Sequence, residues 1–264
     1  MENAISTLAE AKLTKRPTWI VLPDVEKVAI EAASQIVKIA ERVMERHSVF
    51  RFVLSGGSTP KRLYEILAGD PFRSRLPWGR VHFFWEDERC VGPDHPESNY
   101  RMAREAFLDK LNTPAANIHR MHGEASDPEA AAHDYEEEIR KHFGLGPENP
   151  PPCFDLVLLG MGSDGHTASL FPGTSAMKET DRWVIANPVP TLGTVRLTCT
   201  PMILNQAAQV IFIVTGTDKA RTLAEVIEGP FDPERLPAQL IRPVAGKMLW
   251  LVDESAATCL NKEK

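Results

Sequence analysis

Four short stretches of this sequence place glycines, hydroxyls, charges and one histidine directly after apolar runs. In the first, Val53-Leu54 lead into Ser55-Gly56-Gly57-Ser58-Thr59-Pro60. Gly56 and Gly57 let the backbone come close to a ligand. The hydroxyls of Ser55, Ser58 and Thr59 can donate hydrogen bonds, and a helix with Pro60 as its first position offers unpaired N–H groups to an anion. That is the chemistry of a phosphate pocket. The lesser alternative for the segment alone is a plain strand-to-helix turn with Thr59 as its cap.

The second stretch, Phe84-Trp85-Glu86-Asp87-Glu88-Arg89, sets three acids and an arginine after a buried strand. Arg89 suits bidentate binding of a phosphate or carboxylate, and Asp87 can orient a hydroxyl or move a proton. A solvated loop of mutually paired charges is the alternative. The third runs from Phe154-Asp155-Leu156-Val157-Leu158-Leu159 into Gly160-Met161-Gly162-Ser163-Asp164-Gly165-His166-Thr167. Its GxGxxG spacing lacks the early βαβ placement of a dinucleotide site. His166, held on a tight loop with Asp164 beside it, is instead a candidate general base. The fourth, Val214-Thr215-Gly216-Thr217-Asp218-Lys219-Ala220, puts Lys219 in a first helical turn, while Arg196 stands on the preceding strand.

These stretches need elements to position them. β-rich runs occur at 50–54, 81–85, 154–159, 183–186, 195–199, 210–214 and 248–252. Helical spacing fills 61–67, 100–111, 128–143 and 219–227, and a long amphipathic helix follows Asp24 to about Arg46. Strands alternating with helices predict an α/β fold, mostly parallel in its sheet, with helices on both faces. All four stretches then lie at the carboxyl edge of that sheet, where open α/β folds bind ligands. The proline- and glycine-rich segment 144–152 is expected to be a surface loop within one domain spanning 1–264, with residues 1–16 a flexible arm.

A formal net charge of −6 argues against a nucleic-acid binder, so an anionic ligand must be held by a few placed cations. The four cysteines contain no CxxC pair, and the eight histidines show no HExxH-like spacing, so neither a metal site nor a disulfide framework is expected. No segment approaches the roughly 20 apolar residues of a membrane span, and 1–16 lacks a signal-peptide core. A soluble cytoplasmic protein is expected, and nothing in the sequence specifies an oligomeric state.

In combination these residues resemble the 6-phosphogluconolactonases, within the wider glucosamine-6-phosphate isomerase/lactonase group. The similarity spans about Val49 to Ala257 and rests on SGGSTP at 55–60, DER at 87–89, SNY at 98–100, GMGSDGHTASLFPG at 160–173, RLT at 196–198 and GTDKA at 216–220. It implies a single-domain modified Rossmann-like fold that uses no cofactor. The implied reaction is hydrolysis of 6-phosphoglucono-1,5-lactone in the oxidative pentose phosphate pathway, with this sugar phosphate as the partner and neither nucleic acid nor membrane. His166 would take the proton of the attacking water, Asp164 would orient it, and Ser55 to Thr59, Asp87, Arg89, Arg196 and Lys219 would hold substrate. By analogy with the deaminases, Lys219 and Arg196 would hold the phosphate, leaving Arg89 to the lactone end.

Two alternatives stand beside this reading. One is an isomerase-deaminase in which Asp87 abstracts the C2 proton. Deaminase relatives carry a DGHxAFNEP pattern whose glutamate completes a proton relay; Phe171 stands at that position here. The other is a non-catalytic sugar-phosphate-binding module, although no helix-turn-helix or basic segment accompanies the domain.

Overall fold

A computed structural model describes residues 18–261. The arm expected at 1–16 lies outside these residues. The first strand, β1 (Thr18–Leu22), leads through Asp24 into α1 (Val25–Met44). Asp24 caps that helix by accepting from the Lys27 N–H at 2.8 Å. Then come β2 (Phe50–Leu54), α2 (Ser58–Leu67), β3 (Val81–Trp85), β4 (Asp87–Arg89), α3 (Asn99–Ala106) and α4 (Pro128–Phe143). The chain closes with β5 (Leu156–Leu159), β6 (Val184–Val189), β7 (Thr194–Cys199), α5 (Pro201–Leu204), β8 (Gln209–Val214), α6 (Ala220–Glu228) and β9 (Lys247–Asp253).

Six strands form a parallel sheet in the order β1-β9-β8-β5-β2-β3. The chain steps from β2 outward to β3, then from β5 through β8 to β9 in the opposite direction. The boundary between β2 and β5 is therefore a topological switch point, where a crevice opens beyond the carboxyl ends of the strands. The expected α/β class and its mostly parallel sheet are present.

One difference from the expectation concerns β6 and β7. They do not join the main sheet but pair antiparallel with each other and with β4, in the order β4-β7-β6. Two further boundaries differ. α2 begins at Ser58, so Pro60 is its third residue, and Gly57 with φ 105° stands as a cap without a side chain. Thr59 does not cap that helix. The helical spacing predicted over 100–111 breaks after Ala106 and resumes as one tight turn at Leu108–Lys110.

The alternation of strand side chains divides the core between two faces. Phe52, Leu54, Phe83, Trp85, Leu158 and Ile213 pack with α1, α2 and α3 on one side. Val53, Phe84, Val157, Leu159, Phe212 and Trp250 pack with α4, α6 and the second sheet on the other. Helices on both sides explain why β5 is apolar throughout and buried at every residue. Gly144 ends α4 in the left-handed region at φ 65°, and residues 145–155 carry no regular structure. No described helix is long and apolar enough to cross a membrane.

Candidate active site

The four stretches lie at the carboxyl ends of β2, β3, β5 and β8, which are consecutive in the sheet order. At roughly 4.8 Å per strand they span about 15 Å, the width of a small ligand and its protein shell. Direct contacts tie them together. Thr59 and Thr215 share a hydroxyl hydrogen bond of 2.9 Å, joining the ends of β2 and β8. The Thr222 hydroxyl donates to the Ser163 carbonyl at 2.7 Å, fixing α6 against the glycine turn after β5.

Two tyrosines pin the strand ends. The Tyr64 hydroxyl accepts from the Ser55 N–H at 2.9 Å and donates to the Ser55 carbonyl at 2.8 Å. From the opposite face, the Tyr135 hydroxyl accepts from the Trp85 N–H at 2.8 Å and donates to the Trp85 carbonyl at 3.2 Å. Each phenol replaces the strand partner that the backbone loses where the sheet ends.

Asp87 is buried and faces inward. Its carboxylate accepts from the Asn99 side chain at 2.7 Å and from the Ser169 hydroxyl at 2.6 Å, linking β4, α3 and the loop that carries His166. Asn99 in turn lies so close to Gly56 that any Cβ there would collide with it. Glu88 accepts from the backbone N–H groups of Asn99 and Tyr100 at 2.7 and 2.8 Å, so an acid on β4 caps α3. These contacts give the SNY segment its structural meaning.

Glu86 is fully buried beside them. Burial, reinforced by the Asp87 charge, pushes its carboxyl well above the usual range, against weaker opposition from Ser55, Arg89 and the Gly56 N–H.

His166 keeps a partly exposed imidazole. Its Nδ1 lies 2.6 Å from Asp164 Oδ1, and its ring stacks on Phe171 with centroids 4.2 Å apart. Partial burial raises the Asp164 carboxyl, but its hydrogen bond to His166 and the histidine charge outweigh this and hold it below its ordinary value. With Asp164 accepting from Nδ1–H, Nε2 is left as the basic nitrogen. Gly162 makes the arrangement possible, because a Cβ there would overlap the imidazole itself. Ala168, two residues on, takes φ 49°, a strained left-handed conformation that turns the chain toward Ser169.

Arg89 and Arg196 are registered across β4 and β7, so their guanidinium groups share one face. The Nε of each is buried without a hydrogen-bond partner. Burial and the neighbouring Arg89 charge lower the Arg196 pKa. Arg89 Nη1 also donates to the Glu97 carbonyl. Lys219 Nζ is 3.0 Å from Asp218 Oδ2. A groove of about 320 Å³ is lined by Gly57, Ser58, Lys61, Arg89, Asn99 and Met102 among others. Ser58 and Arg89 thus share one recess, while His166, Arg196 and Lys219 stand outside its lining.

Sequence reading assigned no role to Asn99, Glu88, Ser169 or Lys61. Asn99 and Ser169 sit inside the motifs quoted above, but their partners lie far away in sequence. Lys61 could have been found as a cation one turn into the helix after the glycines.

The chain is similar to known proteins over most of its length. Residues 23–250 match the family model described as glucosamine-6-phosphate isomerases/6-phosphogluconolactonase. A 6-phosphogluconolactonase from Synechocystis is 44% identical over 238 residues, covering 90% of this chain and 94% of its own. One from Nostoc is 40% identical, covering 93% of this chain and 99% of its own. Among solved structures, a 6-phosphogluconolactonase from Trypanosoma cruzi superposes with a TM-score of 0.84 at 32% identity, over 97% of this chain and 100% of that one.

Proposed function

Because the chain belongs to the glucosamine-6-phosphate isomerase/6-phosphogluconolactonase family, we infer that it hydrolyses 6-phosphoglucono-1,5-lactone to 6-phosphogluconate, the lactone-opening step of the pentose phosphate pathway. The observation that carries the assignment of the base is the His166–Asp164 pair at 2.6 Å on a partly exposed loop at the switch-point edge.

In this reading Nε2 of His166 removes a proton from water as its oxygen adds to the lactone carbonyl carbon. The tetrahedral intermediate then collapses with cleavage of the bond from C1 to the ring oxygen. That oxygen takes the proton back from the imidazolium, leaving an acid that ionises to the product carboxylate. Asp164 fixes the tautomer and offsets the transient positive charge.

The glycine turns are less free to bind an anion than their composition suggests. The Gly162 N–H donates to the His166 carbonyl, the Gly165 N–H to the Gly162 carbonyl, and the Gly216 N–H to Asp253. The N–H groups left open to an anion are those at the start of α2, around Ser58 and Thr59, beside Arg89 and Lys61. Phosphate binding there by Ser58 and Arg89 fits the shared groove, while the Thr59 hydroxyl is taken up by Thr215, and the register of Arg89 with Arg196 supports both arginines acting on the same group. Lys219 adds charge from the β8 turn. Asp87, with both oxygens engaged, is assigned to positioning the His166 loop rather than to moving a proton.

Phe171 favours lactone hydrolysis over deamination, since no acid continues a relay from His166. A cytoplasmic location suits the chain, whose four cysteines are unpaired thiols. The test measures 6-phosphogluconate formation with a coupled dehydrogenase, corrected for spontaneous ring opening, alongside ammonia release from glucosamine 6-phosphate. Catalysed lactone opening without ammonia is expected. Ammonia release without lactone opening would overturn the reading.

A further inference from the structure

Three histidines from separate parts of the chain meet at the opposite end of the sheet. His82 is the second residue of β3, His119 follows the tight turn that packs on that strand, and His142 is near the end of α4. One ring nitrogen from each lies within 4.8 Å of the others. His82 Nδ1 is 3.0 Å from His119 Nε2. The other nitrogen of His119, Nδ1, lies 2.7 Å from Glu138 Oε1, one turn before His142 on α4. His119 is buried and the other two are half-buried.

We propose that His82, His119 and His142 form a binding site for a divalent transition-metal ion, zinc being the ion best matched to three imidazoles. A carboxylate that accepts from the non-ligating nitrogen of a metal-bound histidine orients the ring and raises its basicity. Glu138 stands in that relation to His119, placing the proton on Nδ1 and the lone pair of Nε2 toward His82. Phe84 stacks on His119 at 4.4 Å and Phe143 packs edge-on against His142, which keeps the rings in place. Three ligands leave a further coordination position for water.

Arg51 opposes the ion. Its Nε donates to His142 Nε2 at 3.2 Å, and its guanidinium places a positive charge beside the cluster. If the ion takes Nε2 of His142, Arg51 must give up that bond. Asp155, whose Oδ2 is 3.8 Å from the guanidinium, offers it an alternative partner. Arg51 thus sets how tightly the site binds.

The site differs in place and consequence from the lactone site. His82 precedes Trp85 by three strand residues, about 10 Å along β3, so the ion would sit toward the amino ends of the strands, away from the carboxyl edge that carries His166. It would join β3, the turn before α4 and the end of α4, acting on stability and not on hydrolysis. Lactone hydrolysis is therefore expected to persist in chelator.

The test uses untagged, chelator-stripped full-length protein titrated with zinc by calorimetry, and with cobalt(II) by visible absorption. One equivalent is expected in the wild type, with the absorption of a nitrogen-ligated ion and a raised unfolding temperature. His166→Ala should retain this equivalent, separating it from binding at the lactone site. His142→Gln should abolish it, Glu138→Ala should weaken it about 10- to 100-fold, and Arg51→Met should tighten it. The His142, Glu138 and Arg51 variants should each hydrolyse lactone at the wild-type rate, which also shows that they fold, whereas His166→Ala is checked for folding by circular dichroism. An absent equivalent in both wild type and Arg51→Met, or one unchanged by His142→Gln and Glu138→Ala, overturns the proposal.

Discussion

The imidazole of His166 lies on the phenyl ring of Phe171, the planes inclined by 28° and the centroids 4.2 Å apart. The ring gives the proposed base a flat apolar support and accepts no proton from it. An aromatic pair of this kind contributes about 0.5–1.5 kcal/mol beyond its buried area. Phe171→Leu keeps the bulk and loses the stacking, so kcat should fall roughly 2- to 12-fold with little change in KM. Steady-state kinetics on the lactone check this; an unchanged kcat would show that Phe171 merely fills space.

Replacing the base itself should cost far more. His166→Ala is expected to keep the fold and lose about 100-fold or more of the catalysed rate. Asp164→Asn keeps an acceptor for Nδ1 but loses the charge that offsets the imidazolium, so its loss should be the smaller. Stopped assays corrected for spontaneous opening, with circular dichroism as the folding control, measure both. Near wild-type hydrolysis by folded His166→Ala would reject the assignment.

The cross-strand pairing of Arg89 with Arg196 makes a prediction that the resemblance-based split did not. If both arginines hold the phosphate, each alanine substitution should impair the phosphorylated lactone about 10- to 150-fold in kcat/KM and spare unphosphorylated gluconolactone. The double variant should lose less than the sum of the two, because they share one group. Lys219→Ala should show the same selectivity with additive behaviour. Equal losses on both substrates for Arg89→Ala would return that arginine to the lactone end.

Glu86 should leave a mark on stability as a function of pH. Its folded pKa is raised, so the stability held by the protonated form is complete below about 4.5 and is lost as pH rises toward the folded value. The slope is at most about 1.4 kcal/mol per pH unit. Glu86→Gln, a neutral shape mimic, should remove this slope: it should be more stable than wild type near pH 8, with the gap closing toward pH 4.5. Denaturant midpoints across that range would reveal an error if the gap stayed constant.

The sequence made β2, β3 and α4 legible to the residue. Phe50–Leu54 and Val81–Trp85 are short runs of apolar and aromatic residues interrupted by a single polar residue each, Arg51 and His82, and Pro128–Phe143 begins with an aspartate cap and ends at a glycine. The β4-β7-β6 sheet was not legible, because β4 is three charged residues with no apolar period. The positions of His166 and Asp164 on one loop could be read from their adjacency. The hydrogen bonds of Asp87 to Asn99 and Ser169 could not, since only the folded chain brings those segments together. The same limit hides the three histidines, whose order in the chain carries none of the local spacing by which metal ligands are recognised.

Gly56 and Gly162 have one more consequence, for anyone who would redesign the enzyme. At both positions the space for a methyl group is already occupied, by Asn99 in one case and by His166 in the other. The floor of the site is therefore closed to mutational exploration, and a library randomised there would return mostly inactive clones. Lys61 and Met102, on the rim of the groove, carry no such constraint, so new substrate preferences should be sought by varying that rim while the two glycines stay fixed.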